Sequence, residues 1–346
     1  MTSPTPDFVN GLELARLFYF EIIRPLLGQH PHSAARLGPG SEILGLDTPR
    51  STDHDWGPQL HIFVADAQIE AIAATIDSSL PEQFRGWPVR FGSDRVATQH
   101  HVRVSSPEEW FTQHLGFNPQ ASITPQNWLS TSQQLLLEAT AGAVFSDPDG
   151  ILQTIRASLA WYPDDIWRWL LACQWRRLSQ EEAFVGRTAE VGDEMGSRMV
   201  AARIVRDLIR LSFLLTKRYA PYNKWLGSVF DTLPIAADLA PHLHAALDAV
   251  AYPAREAALC AAYECIAHRF NALRLTTQVN PQVRLFHTRP FRVLEADRFV
   301  DACLSSIDNT WLRCQPLVGS IDQFADSTDI LSNARHSDAL ANIYGD

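Results

Sequence analysis

Apolar residues recur at helical spacing near the start of the chain and gather in short runs farther on. The helical stripe consists of Leu14, Leu17, Phe18, Ile22 and Leu26. It predicts a helix over residues 8–27 with Asp7 as its N-cap. Short apolar runs predict strands over residues 33–37, 60–64, 87–91, 101–104 and 142–145, and helical spacing predicts helices over 66–79 and 126–140. This order predicts a small mixed sheet covered by helices.

The second half of the chain has a helical pattern throughout. The predicted helices cover residues 163–177, 193–217, 234–250, 254–276 and 294–307. A turn sequence, Ser-Asp-Pro-Asp-Gly at 146–150, predicts the boundary before them. The tail after Gly319 is polar, and we expect it to be partly disordered. The chain is therefore predicted to be an α+β protein, with a mixed-sheet domain over 1–150 and an all-α helical domain over 151–346.

Composition and charge exclude several classes of protein. The residues are 46% hydrophobic and 20% charged, which is typical of soluble globular proteins. A net charge of −10 argues against nonspecific nucleic-acid binding. The five cysteines are scattered with no C-x-x-C pair, which favours reduced thiols in the cytoplasm. Neither a signal-peptide pattern nor an apolar run long enough for a membrane span is present, so we expect no membrane partner.

Two stretches, GPGSEILG at residues 38–45 and STDHDW at residues 51–56, carry the candidate chemistry. Glycines allow a backbone to approach a phosphate closely, and Ser41 adds a hydroxyl and an N–H. The spacing of Asp53 and Asp55 predicts two carboxylates on one face of a strand. Such neighbours repel each other unless a cation lies between them, and Mg²⁺ binds carboxylates together with substrate phosphates. The pattern therefore predicts a Mg²⁺ site for a nucleoside triphosphate.

Gly40-Ser41, an eleven-residue spacer and Asp53-His54-Asp55 resemble the signature of the nucleotidyltransferase superfamily with the DNA polymerase beta-like fold. Residues 36–56 and 217–225 resemble one uncharacterised bacterial branch of it, a domain-of-unknown-function family with a C-terminal helical domain, and that likeness covers most of the chain. The resemblance implies transfer of a nucleoside monophosphate from a triphosphate, ATP above all, to a hydroxyl acceptor. It makes Asp53 and Asp55 catalytic Mg²⁺ ligands in a two-metal arrangement, with Gly40 and Ser41 on the β- and γ-phosphates.

The sequence departs from the superfamily pattern at its third carboxylate, which belongs on a later strand. The strand candidates at 87–91 and 101–104 carry no acid, and Asp94, Glu108 and Glu109 flank them out of register. Two carboxylates could suffice, or an acid of the helical domain could enter the site. The alternative function is a catalytically inactive nucleotide-binding or nucleotide-sensing module with the same fold. A metal-dependent phosphohydrolase is a third reading.

A basic stripe leads into an aromatic turn in the second half. The stripe consists of Arg203, Arg206, Arg210 and Lys217, which share one face of a predicted helix. Lys217, Tyr222 and Lys224 are candidate nucleotide-binding residues, the lysines for the triphosphate and Tyr222 for a base or phosphate. The alternative is a solvated helix face followed by a packed turn.

The sequence leaves the acceptor open. An acidic cleft would attract a polycation such as an aminoglycoside-like compound, while a protein hydroxyl or an RNA end is an alternative, the latter disfavoured by the negative net charge. Histidines 54, 100 and 101 lack further ligands at useful spacing, so we expect them to be structural or surface residues rather than metal ligands.

Overall fold

The computed structural model describes residues 6–93 and 96–345, and this α+β chain divides into two compact units. The first unit comprises Met1–Ile123 and Leu135–Ala160, and the second comprises Thr124–Gln134 and Trp161–Asp346. The predicted domains, 1–150 and 151–346, stay a prediction, because compactness alone does not test whether either part folds by itself. No helix in the described ranges is both long and apolar enough to cross a membrane.

The first unit is built on a five-stranded mixed sheet, as predicted. Its strands in chain order are β1 (Ser33–Arg36), β2 (Gln59–Phe63), β3 (Gln83–Phe84), β4 (Trp87–Pro88), β5 (Arg90–Ser93), β6 (Val96–Ser105) and β7 (Ala143–Ser146). The sheet order is β5-β6-β2-β1-β7, and β3 pairs separately with β4. Strand β1 is antiparallel to β2 and β7, whereas β2 and β6 are parallel. This pairing puts Ala35, His61 and Arg103 side by side across three strands.

Alternation along the strands gives the sheet two different faces. The helices of this unit are α1 (Gly11–Phe18), α2 (Arg24–Leu27), α3 (Ile69–Ser79), α4 (Pro107–Leu115) and α7 (Ile151–Ser158). Leu60, Ile62 and Val102 belong to one apolar core with the buried residues of the first helices and α3. The side chains that alternate with them, His61 and Arg103 among others, therefore lie on the opposite face.

The first predicted helix is confirmed, with a different cap. A π-helical stretch, Tyr19–Ile23, joins α1 to α2 in one continuous rod. The N-cap is Asn10 rather than Asp7, because the Asn10 side chain accepts a hydrogen bond from the Leu12 N–H at 3.0 Å. An asparagine two residues before the bonded amide satisfies a donor that the first turn leaves open.

The predicted strand through Asp53 and Asp55 is wrong. Residues Pro49–Asp53 form a 3-10 helix that begins with a capping box between Thr48 and Ser51. Asp55 then has a left-handed φ of 49°, and β2 begins only at Gln59. Capping and a proline at the first helical position override the alternation of acids.

The second unit is helical apart from a two-residue ladder between β8 (Arg284–Leu285) and β9 (Arg292–Val293). Its helices are α5 (Pro125–Ser130), α8 (Asp164–Glu181), α9 (Phe184–Glu190), α10 (Glu194–Leu215), α11 (Asn223–Phe230), α12 (Ala236–Asp248), α13 (Tyr252–Ala272), α14 (Asp297–Leu304) and α15 (Thr310–Cys314). The predicted helix 126–140 is broken, because α6 (Gln133–Thr140) starts anew after α5 and continues into the first unit.

The prediction of a partly disordered tail after Gly319 is wrong for the described residues. The tail forms α16 (Ile321–Phe324), α17 (Thr328–Leu331) and α18 (Ala334–Asp338), then a 3-10 turn. Its end is anchored by Tyr344, whose buried hydroxyl donates to the Gly319 carbonyl at 2.8 Å. The three helices are only four or five residues long and rich in polar residues, so a prediction from composition does not detect them.

Candidate functional site

The bend at residues 38–45, which follows β1, is organised by the guanidinium of Arg36. Its nitrogens donate to the backbone carbonyls of Leu37 and Pro39 and to the carboxylate of Glu42, the last at 3.0 Å from Nε. Both side chains of the Arg36–Glu42 ion pair are buried, at 3% and 7% exposure. The arginine therefore fixes the path of the chain through the bend from inside.

Gly40 is required by this geometry. Its φ is 143°, which disfavours any other residue, and an added Cβ would collide with the Glu42 carboxylate. Ser41 then starts a 3-10 turn, Ser41–Leu44, and its hydroxyl makes no hydrogen bond to any described residue. The bend thus presents a partly buried serine hydroxyl on a rigid support.

A second carboxylate, Asp47, ties the bend to the stretch before β2. It accepts hydrogen bonds from the Gly11 N–H at 2.7 Å and from the Trp56 indole at 3.4 Å, and the Asn10 amide also contacts it. Because Asp47 follows the bend and Trp56 follows Asp55, this contact brings the two stretches to one place at the start of α1. Asp47 and Arg36 were missed in the sequence, where nothing but their nearness to the glycines marks them.

The acidic turn, which we define as residues 53–55, is exposed. The Asp53 side chain is 50% exposed, and its carboxylate accepts from His54 Nδ1 at 2.6 Å and lies 3.8 Å from the Arg50 guanidinium. The Asp55 carboxylate makes no hydrogen bond or ion pair to a described residue, although its charge acts on His101 by raising the pKa of that imidazole. Desolvation outweighs this effect, so burial lowers the pKa of His101 overall.

The fit to Mg²⁺ rests on these two carboxylates alone. Exposed carboxylate oxygens are the donors that Mg²⁺ takes together with water and phosphate oxygens. The described residues contain no group of three or more His, Cys, Asp or Glu side chains arranged for a metal ion. Strand β6 has no acid along its ten residues, and Asp94 lies outside the described residues. Among the described residues, the two carboxylates therefore form no closed protein cage for a metal ion.

Glu108 and Glu109 occupy the first turn of α4, where the positive end of the helix dipole stabilises acidic side chains. Both are exposed, and Glu109 accepts a hydrogen bond from Gln113. Their positions are explained by the helix that follows β6.

The candidate residues of the second unit surround the turn between α10 and α11. Lys217 is exposed with a left-handed φ of 52°, and its Nζ lies 4.2 Å from the centroid of the Trp167 ring. Lys224 Nζ lies 4.8 Å from the Trp225 ring centroid. Tyr222 is the N-cap residue of α11, and its N–H donates to the Gln134 side chain at 2.9 Å. These cation–π contacts leave both ammonium groups exposed.

Two of the four residues of the basic stripe before that turn form ion pairs, and a third is buried. Arg203 pairs with Glu181, and Arg206 with Asp326. Arg210 is buried and donates to the Asp322 backbone carbonyl, while burial lowers the pKa of its guanidinium. The stripe is therefore mostly structural, and Lys217 is its exposed end.

A family model described as a domain of unknown function, DUF4037, matches residues 128–226 of this chain. That segment contains Lys217, Tyr222 and Lys224, while the bend and the acidic turn lie before it. No curated protein and no solved structure matches the chain.

Proposed function

We propose that this protein is a Mg²⁺-dependent nucleotidyltransferase that transfers a nucleoside monophosphate from a triphosphate, preferably ATP, to a hydroxyl. The observation that carries the proposal is the junction at Asp47, which joins a rigid glycine–serine bend to an acidic turn with exposed carboxylates. The resemblance to the nucleotidyltransferase superfamily at the same residues supports it.

Each stretch has a distinct task in this reaction. The Ser41 hydroxyl and the backbone at Gly40 bind the β- and γ-phosphates. The hydroxyl is available for this contact because it makes no hydrogen bond to a described residue. Asp53 and Asp55 hold Mg²⁺, which when bound neutralises phosphate charge and lowers the pKa of a coordinated hydroxyl. The acceptor oxygen forms a bond to the α-phosphorus, the bond to the β-phosphate bridging oxygen breaks, and pyrophosphate leaves. The acceptor's proton passes to solvent.

Lys217 and Lys224 are proposed as triphosphate-binding residues, and Tyr222 as a base or phosphate contact. Lys217 and Lys224 remain exposed and have aromatic rather than acidic neighbours, which supports a role with anions. The acceptor is a small molecule such as an aminoglycoside-like compound or a protein hydroxyl. A cytoplasmic location is part of the proposal, supported by five unpaired cysteines.

The second candidate function is a nucleotide-binding module without transferase activity. The observation that favours it is the acid-free strand β6, where the superfamily has its third carboxylate. Such a module keeps the phosphate contacts and lacks a base for the acceptor hydroxyl.

The test is incubation of the whole protein with Mg²⁺, each α-labelled triphosphate and candidate acceptors, together with the double variant Asp53→Asn/Asp55→Asn. Label on an acceptor with pyrophosphate release, lost in the variant, supports the transferase. Binding without turnover supports the module, and label released as free nucleotide without an acceptor supports a phosphohydrolase. The matched control is Asp66→Asn/Glu70→Gln, which removes two exposed acids elsewhere in the first unit.

A further inference from the structure

A small cavity of about 250 Å³ lies on the sheet face opposite the apolar core of the first unit. We call it the sheet-face pocket. Its walls come from β2, β6, α4 and the start of the bend, and its lining includes Arg36, His61, Arg103, Trp110, Gln113 and His114. None of the residues assigned to the proposed nucleotide site lines it.

The charge of the sheet-face pocket is positive in a chain of net charge −10. No acidic side chain lines it. Arg36 is neutralised by Glu42, whereas Arg103 is exposed and forms no ion pair with any acid in the described ranges. One uncompensated guanidinium therefore remains, and its planar donors match a carboxylate or phosphate group.

Two histidines in the walls are neutral at ordinary pH. Burial lowers the pKa of His114 to about 4, and its Nε2 donates to the Leu135 carbonyl at 3.1 Å. Burial, together with the charges of Arg36 and Arg103, holds the pKa of His61 well below its usual range. The histidines thus add polar atoms to the pocket without adding charge.

His61 has an unsatisfied polar atom. The residue is 7% exposed, and its buried Nδ1 has no hydrogen-bond partner among the described residues. A buried polar nitrogen without a partner costs about 1–3 kcal/mol, so a group that bonds to it is favoured. His61 and Arg103 are neighbours across β2 and β6, so the residue with the unsatisfied nitrogen lies next to the cation of the pocket wall.

Aromatic rings complete the walls. The Trp110 ring stacks on His114, with centroids 4.7 Å apart and planes at 13°, and meets His61 edge to face at 5.4 Å. Gln113 donates to Glu109, which leaves its carbonyl oxygen as an acceptor. The pocket has an aromatic wall, a cation and a buried nitrogen within a volume that admits only a small molecule.

We propose that the sheet-face pocket binds a small molecule through an oxyanion group, a carboxylate or a phosphate, with Arg103 as the cationic anchor. This binding does not depend on the proposed nucleotidyltransferase activity.

The test is titration of the full chain with inorganic phosphate and, separately, with acetate at constant ionic strength. Binding is followed by NMR, through the chemical shifts of the histidine ring nitrogens and of the tryptophan indole N–H groups. The variant Trp110→Phe assigns the signal of Trp110. Saturable shifts at His61 and Trp110 are expected. Saturation by phosphate alone identifies a phosphate ligand, and saturation by acetate alone identifies a carboxylate. No saturable shift with either anion would overturn the proposal.

Three variants give the test its specificity. Arg103→Gln, an exposed change, should weaken binding about tenfold through the loss of a charge-assisted contact, and Arg103→Lys should lie between it and the wild type. Arg24→Gln is the matched control, since Arg24 is exposed and lies 5.8 Å from the Phe20 ring centroid, away from the pocket. Binding unchanged in Arg103→Gln, or lost in Asp53→Asn/Asp55→Asn, would contradict the proposal.

Discussion

The bend and the acidic turn lie in the same connection between β1 and β2, yet their acids have opposite environments. Glu42 is buried and is held by the Arg36 guanidinium. Asp53 and Asp55 are exposed. Asp53 contacts His54 and lies 3.8 Å from the Arg50 guanidinium, while the Asp55 carboxylate forms no hydrogen bond or ion pair with a described residue. The bend has its carboxylate paired inside the protein, while the acidic turn leaves carboxylate oxygens open to solvent.

This difference separates residues that hold the site from residues available for chemistry. A buried ion pair cannot lose one partner without leaving an uncompensated charge. Substitution of Arg36 or Glu42 is therefore expected to lower the free energy of unfolding. Exposed carboxylates contribute little to the stability of the fold. The two carboxylates beside the rigid bend are therefore available to bind a ligand. Substitutions in the two stretches should therefore affect different measurements.

The largest effect is expected for Arg36→Met. Removing the guanidinium leaves Glu42 buried and unpaired, which should lower the free energy of unfolding by about 3–5 kcal/mol. The measurement is denaturant unfolding. Arg50→Met is the control, because the Arg50 side chain is 93% exposed and should cost no more than about 0.5 kcal/mol. The account is contradicted if both variants lose the same stability.

Glu182 extends the comparison to a buried acid with backbone partners. Its carboxylate accepts from the N–H groups of Leu294, Glu295 and Ala296, yet burial raises its pKa to about 7. The folded state therefore holds the proton more tightly than the unfolded state does. The contribution of Glu182 to the free energy of unfolding is therefore complete below the pKa of the unfolded state, near 4.3. The free energy of unfolding should decline by about 3 kcal/mol as the pH rises through the pKa of Glu182 in the folded state.

Glu182→Gln tests this pH dependence, because a glutamine does not titrate. Unfolding measured across the same pH window should lose that decline in Glu182→Gln. The neighbouring Glu181→Gln, which removes an ion pair with Arg203, should keep it. An unaltered decline in Glu182→Gln would assign the effect to another group.

A smaller effect is expected within the bend itself. Gly40→Ala should cost about 1–3 kcal/mol, because the residue has a positive φ and its Cβ meets the Glu42 carboxylate. Gly45→Ala is the matched change, since Gly45 has a φ of 68° but open space around its Cβ, and should cost about 1 kcal/mol. Equal losses in thermal unfolding would show that backbone strain alone matters.

The smallest stability effect belongs to the acidic turn. Asp53→Asn/Asp55→Asn should change the free energy of unfolding by no more than about 0.5 kcal/mol, as exposed substitutions usually do. Circular dichroism during thermal unfolding measures this. A large loss would place the two aspartates with Glu42 as structural acids.

Much of the fold could be predicted because long periodic segments settle the type of an element. The helix after Asp66, the strand Gln59–Phe63 and the helix Asp164–Glu181 all follow from their apolar spacing. The wrong predictions arose where local side-chain hydrogen bonds override the apolar spacing. The Thr48–Ser51 capping box converted the predicted strand at Asp53 into a 3-10 turn.

The candidate site could be predicted only in part, because its support comes from contacts distant in sequence. Asp47 reaches back 36 residues to the Gly11 amide, and no local pattern indicates that contact. The sheet-face pocket was missed although a signal exists: His61 and Arg103 are polar positions within strands whose neighbours are apolar. The roles of Asp53, Asp55, Gly40 and Ser41 stay predictions.

The most direct test of the central claim is calorimetric titration with ATP, with and without Mg²⁺. The wild type and the control Asp66→Asn/Glu70→Gln should bind ATP in a Mg²⁺-dependent manner. Asp53→Asn/Asp55→Asn should lose at least about tenfold in affinity, because both carboxylate ligands of the cation are gone. Equal Mg²⁺-dependent binding in all three proteins would contradict the assignment of the acidic turn as the metal and nucleotide site.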